Sequence, residues 1–256
     1  MKNYGIYSLI LEEINSIILN VVIKMKKIIS IILIIVLSLV VVGCTKEKTD
    51  ADKFKEEYES VNNVVNEHTN KKNRELSIPK DNPFVYATAD EIVEKINKKE
   101  SFIVYFGFAE CPWCRSVLEQ LIIAADDNEV DTIYYVDILN IRDTKEISED
   151  GSITTTKEGT KGYMKLVELL GDVLDDYSLT GENDEKISAE EKRIYAPNVV
   201  AISKGKALQL ETGISDDLKD PYSKLTSKIK KYAYKKFDCL MDCFEEESTS
   251  CKKNSC

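Results

Sequence analysis

The segment FAECPWCRS, residues 108–116, constrains the fold more than any other stretch, because it places two cysteines between patterns of different period. The preceding run SFIVYFGF, 101–108, is short, apolar and aromatic, which is typical of a buried strand. Apolar residues after it recur at helical period, namely Val117, Leu118, Leu121, Ile122 and Ala125. Cys111 and Cys114 therefore lie at a strand-to-helix junction, where they are candidates for a redox pair, half of a zinc site or a structural disulfide.

The chemistry of a helix start favours the redox pair. A thiol is a useful nucleophile only as its thiolate, and the free N–H groups and dipole of a helix N-terminus stabilise that charge. Cys111 is predicted where the helix begins, and Cys114, one turn later, can attack a mixed disulfide formed at Cys111. Pro112 suits the first turn, where its missing N–H is not needed. Trp113, the only tryptophan, offers an apolar ring beside the reactive sulfur.

The periodic segments on either side predict an α/β layer fold, because helices and strands alternate along the chain. They are a helix after Thr88, which has capping-box spacing to Glu91, a strand over 131–138, a helix over 162–177, a hairpin turning at Gly205, and a helix with Asp220 as N-cap and Pro221 in its first turn. Residues 139–160 are polar and are predicted to be turn-rich.

Two stretches resemble the thioredoxin superfamily: IVYFGFAECPWC, 103–114, resembles its strand and active site, and IYAPNVVAISKGKALQLETG, 194–213, its cis-proline, hairpin and glycine. Within that superfamily the chain most resembles lipoprotein and bacteriocin-transport-accessory proteins of Gram-positive bacteria. The resemblance implies a thioredoxin-like fold, with a central mixed sheet flanked by helices and an acidic helical insert, 180–193, before the cis-proline strand.

The resemblance also implies a role for each residue of the site. Cys111 attacks a disulfide and Cys114 resolves the intermediate, so that the cysteine pair itself is the redox group and no separate cofactor is needed. Pro197 would be the cis-proline facing the pair, with Ala196 before it. We expect these two residues and Trp113 to bind an extended substrate.

One departure from the family concerns Tyr105, which stands six residues before Cys111, where many thioredoxins carry a buried aspartate that relays protons. Either another group deprotonates Cys114, or water does, or exchange is slower. The neighbours of the pair have opposite expected effects on the pKa of Cys111. Like charge on Glu110 would raise it, and Arg115 would lower it.

The N-terminus resembles an export signal. Lysines precede an apolar run, 28–42, that ends in VVGC, a lipobox-like sequence implying cleavage after Gly43 and a diacylglyceryl group on Cys44. Met25 is the expected true initiator, because the lysines and apolar run after it already make a complete signal. The alternative is an uncleaved membrane anchor. Both place the rest of the chain at the extracytoplasmic face of the cell membrane.

After a signal peptide over 1–43, we predict a flexible lipid-anchored linker over 44–80, a thioredoxin-like domain over 81–235 and a cysteine-rich tail over 236–256. The net charge of −10 argues against nucleic acid as a partner. No metal site is predicted, because the acidic segment 180–193 lacks the alternating acids and central glycine of a calcium loop.

Four cysteines close the chain, and in an exported protein an even set predicts two structural disulfides. Residues one helical turn apart are poorly placed to bond each other, so we expect the first two to pair with the last two, in nested or crossed order. A four-thiolate zinc site and a relay that exchanges with the active dithiol remain alternatives. The four are Cys239, Cys243, Cys251 and Cys256.

Two functions follow from these patterns. The first is a membrane-anchored thiol–disulfide oxidoreductase that acts on disulfide-containing exported proteins or peptides and exchanges electrons with a membrane redox partner. The second is an accessory module that holds an exported peptide, for example during bacteriocin export, without essential redox turnover. The direction of electron flow is not encoded in any pattern of the sequence.

Overall fold

The computed structural model describes Glu13 and residues 16–32, 47–67 and 69–245. The chain divides into two units between Glu47 and Lys48. In the first unit, residues 16–32 are helical and exposed. Within the described residues, no helix combines the length and the apolar character needed to cross a bilayer. The expected cleavage site after Gly43 and the expected lipidation site, Cys44, lie outside the described residues.

The second unit alternates helices and strands as predicted. In chain order its elements are α1 (Asp50–Ser60), β1 (Val65–Asn66), β2 (Lys71–Lys72), β3 (Phe84–Tyr86), α2 (Ala89–Asn97), β4 (Phe102–Gly107), α3 (Pro112–Asp127), β5 (Ile133–Asp137), β6 (Thr144–Ile147), β7 (Ile153–Lys157), α4 (Lys161–Leu170), β8 (Asp175–Thr180), β9 (Lys186–Arg193), β10 (Asn198–Ser203), β11 (Lys206–Glu211) and α5 (Ser227–Glu245).

A mixed five-stranded sheet forms the centre, with the strand order β11-β10-β4-β5-β3. Strands β3, β4 and β5 run parallel, whereas β10 is antiparallel to both β4 and β11. The β10–β11 hairpin turns at Lys204 and Gly205, which both have positive φ, as the sequence predicted for Gly205. The expectation of an α/β fold with a mixed sheet flanked by helices is therefore confirmed.

Strand β4 is buried along its whole length, because both faces of the sheet are covered by helices. Its alternate residues enter two separate cores. Ile103 and Tyr105 join the core formed with α1, α3 and α5. Phe102, Val104 and Phe106 join the core formed with α2 and α4. Because β4 is central and buried, its C-terminal end, which is followed by Cys111, is held in a fixed position.

The segment expected to be a flexible linker, 44–80, is instead folded where the structure describes it. Thr49 caps α1, and Phe54 and Tyr58 lie fully buried against the sheet. The Phe54 ring stacks on Phe84 of β3 at 4.0 Å between centroids. The lysine- and glutamate-rich composition suggested a solvated tether, but two aromatic side chains four residues apart share one helix face and supply the apolar surface that folding needs.

The acidic insert, 180–193, is not helical as expected but belongs to the β8–β9 hairpin. Side chains of KISAE alternate between exposed and half-buried positions, which is the period of a strand. The turn-rich region, 139–160, holds a second hairpin, β6–β7. The helix expected over 162–177 ends at Leu170, because the chain turns after it and Tyr177 is buried from strand β8.

The last helix, α5, begins at Ser227 and not at Asp220. Asp220 accepts a hydrogen bond from the Tyr222 N–H and forms an ion pair with Lys71. It therefore closes a turn and does not cap a helix. The Thr226 hydroxyl accepts from the Ile229 N–H and occupies the capping position. Because Phe237 and Leu240 of α5 are fully buried in the core, the expected domain boundary at residue 235 falls inside a packed helix.

Candidate active site

Cys111 is the N-cap residue of α3, as the strand-to-helix pattern predicted. Its Sγ accepts a hydrogen bond from the backbone N–H of Cys114 at 3.2 Å. Pro112 occupies the first turn, where no N–H is required. The N-terminal N–H groups of the helix therefore point at the sulfur, which is the arrangement that stabilises a thiolate.

The loop before β10 closes the other side of the site. The Ala196–Pro197 peptide bond is cis, and the Cys111 thiol donates to the Ala196 carbonyl oxygen at 3.4 Å. Antiparallel pairing of β10 with β4 sets this approach, because Asn198 faces Phe106 near the end of β4. The structure thus brings together Cys111, Cys114, Ala196 and Pro197, which lie far apart in sequence.

The two cysteines have opposite pKa shifts. Burial raises the pKa of the Cys111 thiol, but hydrogen bonds from the Cys114 thiol and from the backbone N–H groups of Cys114 and Trp113 outweigh it, so the pKa lies below its ordinary value. Burial, and then the hydrogen bond and charge of Cys111, raise the pKa of Cys114 well above its ordinary value. Of the two sulfurs, Cys111 is therefore the one that more readily forms a thiolate.

The positive charge that lowers the pKa of Cys111 belongs to Arg142, which sequence reasoning missed. Its guanidinium lies 5.1 Å from the centre of the Phe108 ring. Arg115, the expected source, is fully buried and donates to backbone carbonyl oxygens, including those of Arg74 and Tyr58. Arg142 follows β5, and no local pattern indicates that this loop returns to the site.

Tyr105, at the position where many thioredoxins carry an aspartate, lies beside Cys114. Its side chain is fully buried and hydrogen-bonds to the Cys114 thiol. The hydroxyls of Tyr105 and Tyr58 are 2.9 Å apart. Burial and the neighbouring sulfur charge raise the pKa of Tyr105 well above its ordinary value, so it stays neutral as a hydroxyl donor and acceptor.

A half-buried carboxylate, Glu57 of α1, terminates this group of tyrosines. The Tyr135 hydroxyl donates to Glu57 Oε1 at 2.8 Å, and the Tyr86 hydroxyl donates to Oε2. Sequence reasoning missed Glu57, because residues 44–80 were expected to form a flexible linker. The i, i+4 spacing of Phe54 and Tyr58 was the signal that a packed helix presents Glu57 to the sheet.

The remaining predicted site residues are placed as follows. Trp113 is half-buried on the first turn of α3 and packs against the core beneath the dithiol. Cys239 and Cys243 of α5 are disulfide-bonded, whereas Cys251 and Cys256 lie outside the described residues. Cys111 and Cys114 are free, so the site is in its dithiol form. Within the ranges that the structure describes, no three His, Cys, Asp or Glu side chains form a group able to hold a metal ion.

Fold and site together define an α/β protein that carries a CxxC dithiol at the N-terminus of a helix, facing a cis-proline loop. Comparison with known proteins adds no relative: no protein-family model matches this chain, and no curated protein matches it.

Proposed function

We propose that the protein is a thiol–disulfide oxidoreductase with a thioredoxin-like fold. The observation that carries the proposal is the contrast between the two sulfurs. Cys111, at the N-cap of α3, has a lowered pKa, and Cys114, one turn later and fully buried, has a raised pKa. Such a pair combines an attacking thiolate with a protected thiol that acts only after a mixed disulfide has formed.

The reaction follows from this order. The Cys111 thiolate attacks a substrate disulfide, forming a Cys111–substrate bond and releasing the first substrate thiolate, which takes up a proton. Cys114 then loses its proton and attacks Cys111 Sγ, releasing the second substrate thiol. The substrate is reduced by two electrons and the protein dithiol becomes a disulfide. The same steps in reverse oxidise a substrate dithiol, and a membrane redox partner would restore the starting form.

The fold supports the thioredoxin-like part of the proposal. Three parallel strands joined to an antiparallel hairpin at one edge place the dithiol at the C-terminal end of central strand β4. The cis-proline loop lies across the dithiol through the contact between Cys111 and Ala196. Ala196 and Pro197 on one side, with Trp113 on the other, would bind the extended backbone of an exported protein or peptide.

Replacement of each cysteine tests the proposal. Cys111→Ser abolishes reduction of insulin by a thiol donor, because no thiolate remains to attack. Cys114→Ser keeps the attack and accumulates mixed disulfides with clients, which are separated on non-reducing gels and identified by mass spectrometry. If the variant with both serines still catalyses insulin reduction, the proposed function is wrong.

We further propose that the enzyme acts at the extracytoplasmic face of the cell membrane, held by a diacylglyceryl group on Cys44. The support is the basic and apolar run followed by VVGC. Metabolic labelling with a fatty acid and detergent phase partition give the readout. Wild-type protein carries label and enters the detergent phase, whereas Cys44→Ala carries no label. Label on Cys44→Ala would contradict the assignment.

A second candidate, an accessory module for an exported peptide, has support from the β8–β9 hairpin. Its turn and β9 carry acidic residues with exposed side chains, including Glu182, Asp184 and Glu190. This surface suits a basic peptide. A strain carrying only the double-serine variant separates the candidates, because normal export there favours the module and lost export favours the oxidoreductase.

A further inference from the structure

The buried thiol of Cys114 must lose a proton before it can resolve a mixed disulfide, yet the side chains that hydrogen-bond to it, Tyr105 and Cys111, are not carboxylates. Its side chain is fully buried and hydrogen-bonds to the Tyr105 hydroxyl and to the Cys111 sulfur. A neutral tyrosine hydroxyl is too weak a base to keep an extra proton, but it can accept one while it donates its own proton to the next group. The proton therefore needs a continuous path to a group that can keep it.

The structure contains such a path through three tyrosines. The Tyr105 hydroxyl is 2.9 Å from that of Tyr58 on α1. The rings of Tyr58 and Tyr135 are edge-on at 5.9 Å between centroids. Burial raises the pKa of Tyr58, and hydrogen bonding by Tyr135 opposes that rise. The Tyr135 hydroxyl in turn donates to Glu57 Oε1 at 2.8 Å. Three tyrosine side chains thus lie between the buried thiol and a half-buried carboxylate.

The hydroxyl groups of this path can pass a proton to Glu57. The carboxylate of Glu57 only accepts, so Tyr135 donates to it. Between Tyr58 and Tyr105 either hydroxyl can donate, and each tyrosine hydroxyl both donates and accepts. When each hydroxyl is turned to donate towards Glu57, the Tyr105 oxygen can accept the Cys114 proton, and successive transfers move a proton from the sulfur to the carboxylate.

Glu57 is suited to receive this proton. Burial raises its pKa most, and the negative charges of Asp137 on β5 and Glu110 before α3 raise it further, while hydrogen bonds from Tyr86 and Tyr135 oppose the shift. The net pKa is above the ordinary value of a glutamate. Such a carboxylate holds a proton more readily than an exposed one, and because it is only half-buried it can exchange that proton with solvent.

We propose that Glu57 accepts the Cys114 proton through the hydroxyls of Tyr105, Tyr58 and Tyr135. This inference rests on the proposed oxidoreductase function and assigns to helix α1 a part in the chemistry of the dithiol. Tyr105 contacts the reacting sulfur, and Glu57 acts through the tyrosines. The path supplies the proton acceptor that the replacement of the expected aspartate by Tyr105 leaves unassigned.

The step balances as follows. In the mixed disulfide, Cys114 transfers its proton to Tyr105, each tyrosine passes one proton on, and Glu57 becomes protonated. The Cys114 thiolate attacks Cys111 Sγ, so the Cys114–Cys111 bond forms and the Cys111–substrate bond breaks. The substrate sulfur leaves with the electron pair and takes a proton from solvent, to which Glu57 returns its own. The substrate disulfide is the oxidant throughout.

Pre-steady-state kinetics with an aromatic nitrobenzoate disulfide test the proposal, because each bond cleavage releases one coloured thiolate. The first release reports attack by Cys111, and the second reports resolution by Cys114. In the full chain carrying Glu57→Gln, the first release keeps its wild-type rate. The second slows by about 10²-fold near neutral pH, which is the order of a general acid–base contribution.

The pH profile separates a proton path from a structural effect. In the wild type the second release slows as pH falls through the pKa of Glu57, because a protonated carboxylate cannot accept, and it levels off above that pKa. Glu57→Gln removes the plateau, so the rate keeps rising with hydroxide. Tyr58→Phe keeps the stacked ring, interrupts the path and has the same effect.

Tyr86→Phe is the matched control, because Tyr86 also donates to Glu57 but lies off the path. It removes a hydrogen bond that lowers the pKa of Glu57, so the profile moves to higher pH while the plateau rate is retained. If Glu57→Gln and Tyr58→Phe show the wild-type second release at every pH, the relay is wrong and the oxidoreductase stands. If the wild type shows no first release, the oxidoreductase fails, and the relay with it.

Discussion

At the scale of single residues, the site depends on the different surroundings of two chemically identical thiols. Both are buried, yet one lies where helix N–H groups meet its sulfur, and the other lies one turn further in, beside a neutral hydroxyl. Their different positions relative to one helix terminus therefore lower the pKa of Cys111 and raise the pKa of Cys114. The roles proposed for Cys111 and Cys114 rest on this difference.

Arg142→Met is expected to move the alkylation profile of Cys111 to higher pH. The guanidinium lowers the pKa of Cys111, so its loss raises that pKa and reduces the thiolate fraction at any pH below the midpoint. Alkylation by iodoacetamide should slow by about two- to fivefold, the scale of a partly exposed charge interaction. Lys165→Met, which removes an exposed charge from α4, should leave the profile unchanged. An unchanged profile in Arg142→Met would contradict the role given to this residue.

Gly107→Ala is expected to disturb both packing and resolution. A Cβ at this position would lie 2.3 Å from the Tyr105 hydroxyl oxygen, so this hydroxyl, which is hydrogen-bonded to Tyr58, would have to move. Overpacking at a buried strand costs about 1–3 kcal/mol of unfolding free energy, measurable by urea denaturation. Gly171→Ala, where no atom outside its neighbours is nearer than 3.4 Å, is the control and should change little. Equal stability of the two variants would contradict this packing.

At the scale of elements, α1 shows how composition misleads where spacing does not. Its sequence is mostly charged. Glu57 faces the sheet and accepts from Tyr86 and Tyr135, and others of the charged residues form pairs such as Lys53 with Asp50. The buried face needs only Phe54 and Tyr58, which stack with each other and with neighbouring strands. A short helix packed in this way extends the sheet domain towards the N-terminus.

Phe54→Ala is expected to destabilise the protein by about 3–5 kcal/mol, because it removes a fully buried aromatic ring. Urea denaturation gives the free energy of unfolding. Lys53→Ala, next to it on the exposed side, should cost less than about 1 kcal/mol because its ion pair is on the surface. If Phe54→Ala has wild-type stability, α1 is a tether in solution after all.

At the scale of the whole molecule, the two ends of the second unit close around one core. Helix α1 and helix α5 both contribute to the core that lies beneath the dithiol. Helix α5 also packs along α3, where Asn128 donates to Asp238 and Tyr234 donates to Asp127. The helix that carries the dithiol is thus held by elements from both ends of the domain.

Replacement of all four C-terminal cysteines by serine is expected to lower stability by roughly 2–4 kcal/mol while leaving insulin reduction unchanged. The reason is that Cys239 and Cys243 are disulfide-bonded and belong to α5, whereas the active dithiol is free. Denaturation and turnover are measured on the same preparation. Lost turnover with retained stability would show instead that the C-terminal cysteines exchange with Cys114.

Local patterns were sufficient for the order of strands and helices around the dithiol, for the hairpin at Gly205 and for the junction that holds Cys111. These features depend on residue period, on turn chemistry and on the preference of a thiolate for a helix start, all of which operate within a few residues. The proposal that Cys111 attacks and Cys114 resolves rests on the same local geometry.

Only the tertiary structure brought Glu57 and Tyr58 of α1, and Arg142 after β5, to the surroundings of the dithiol, because no local spacing relates these segments to Cys111. Burial is a property of the assembled core. A segment rich in lysine and glutamate therefore forms a packed helix here, because its two aromatic residues pack against the sheet. The sequence by itself determined where the reactive sulfur lies. The packed molecule decided which groups set its pKa and which group is placed to take the proton of its partner.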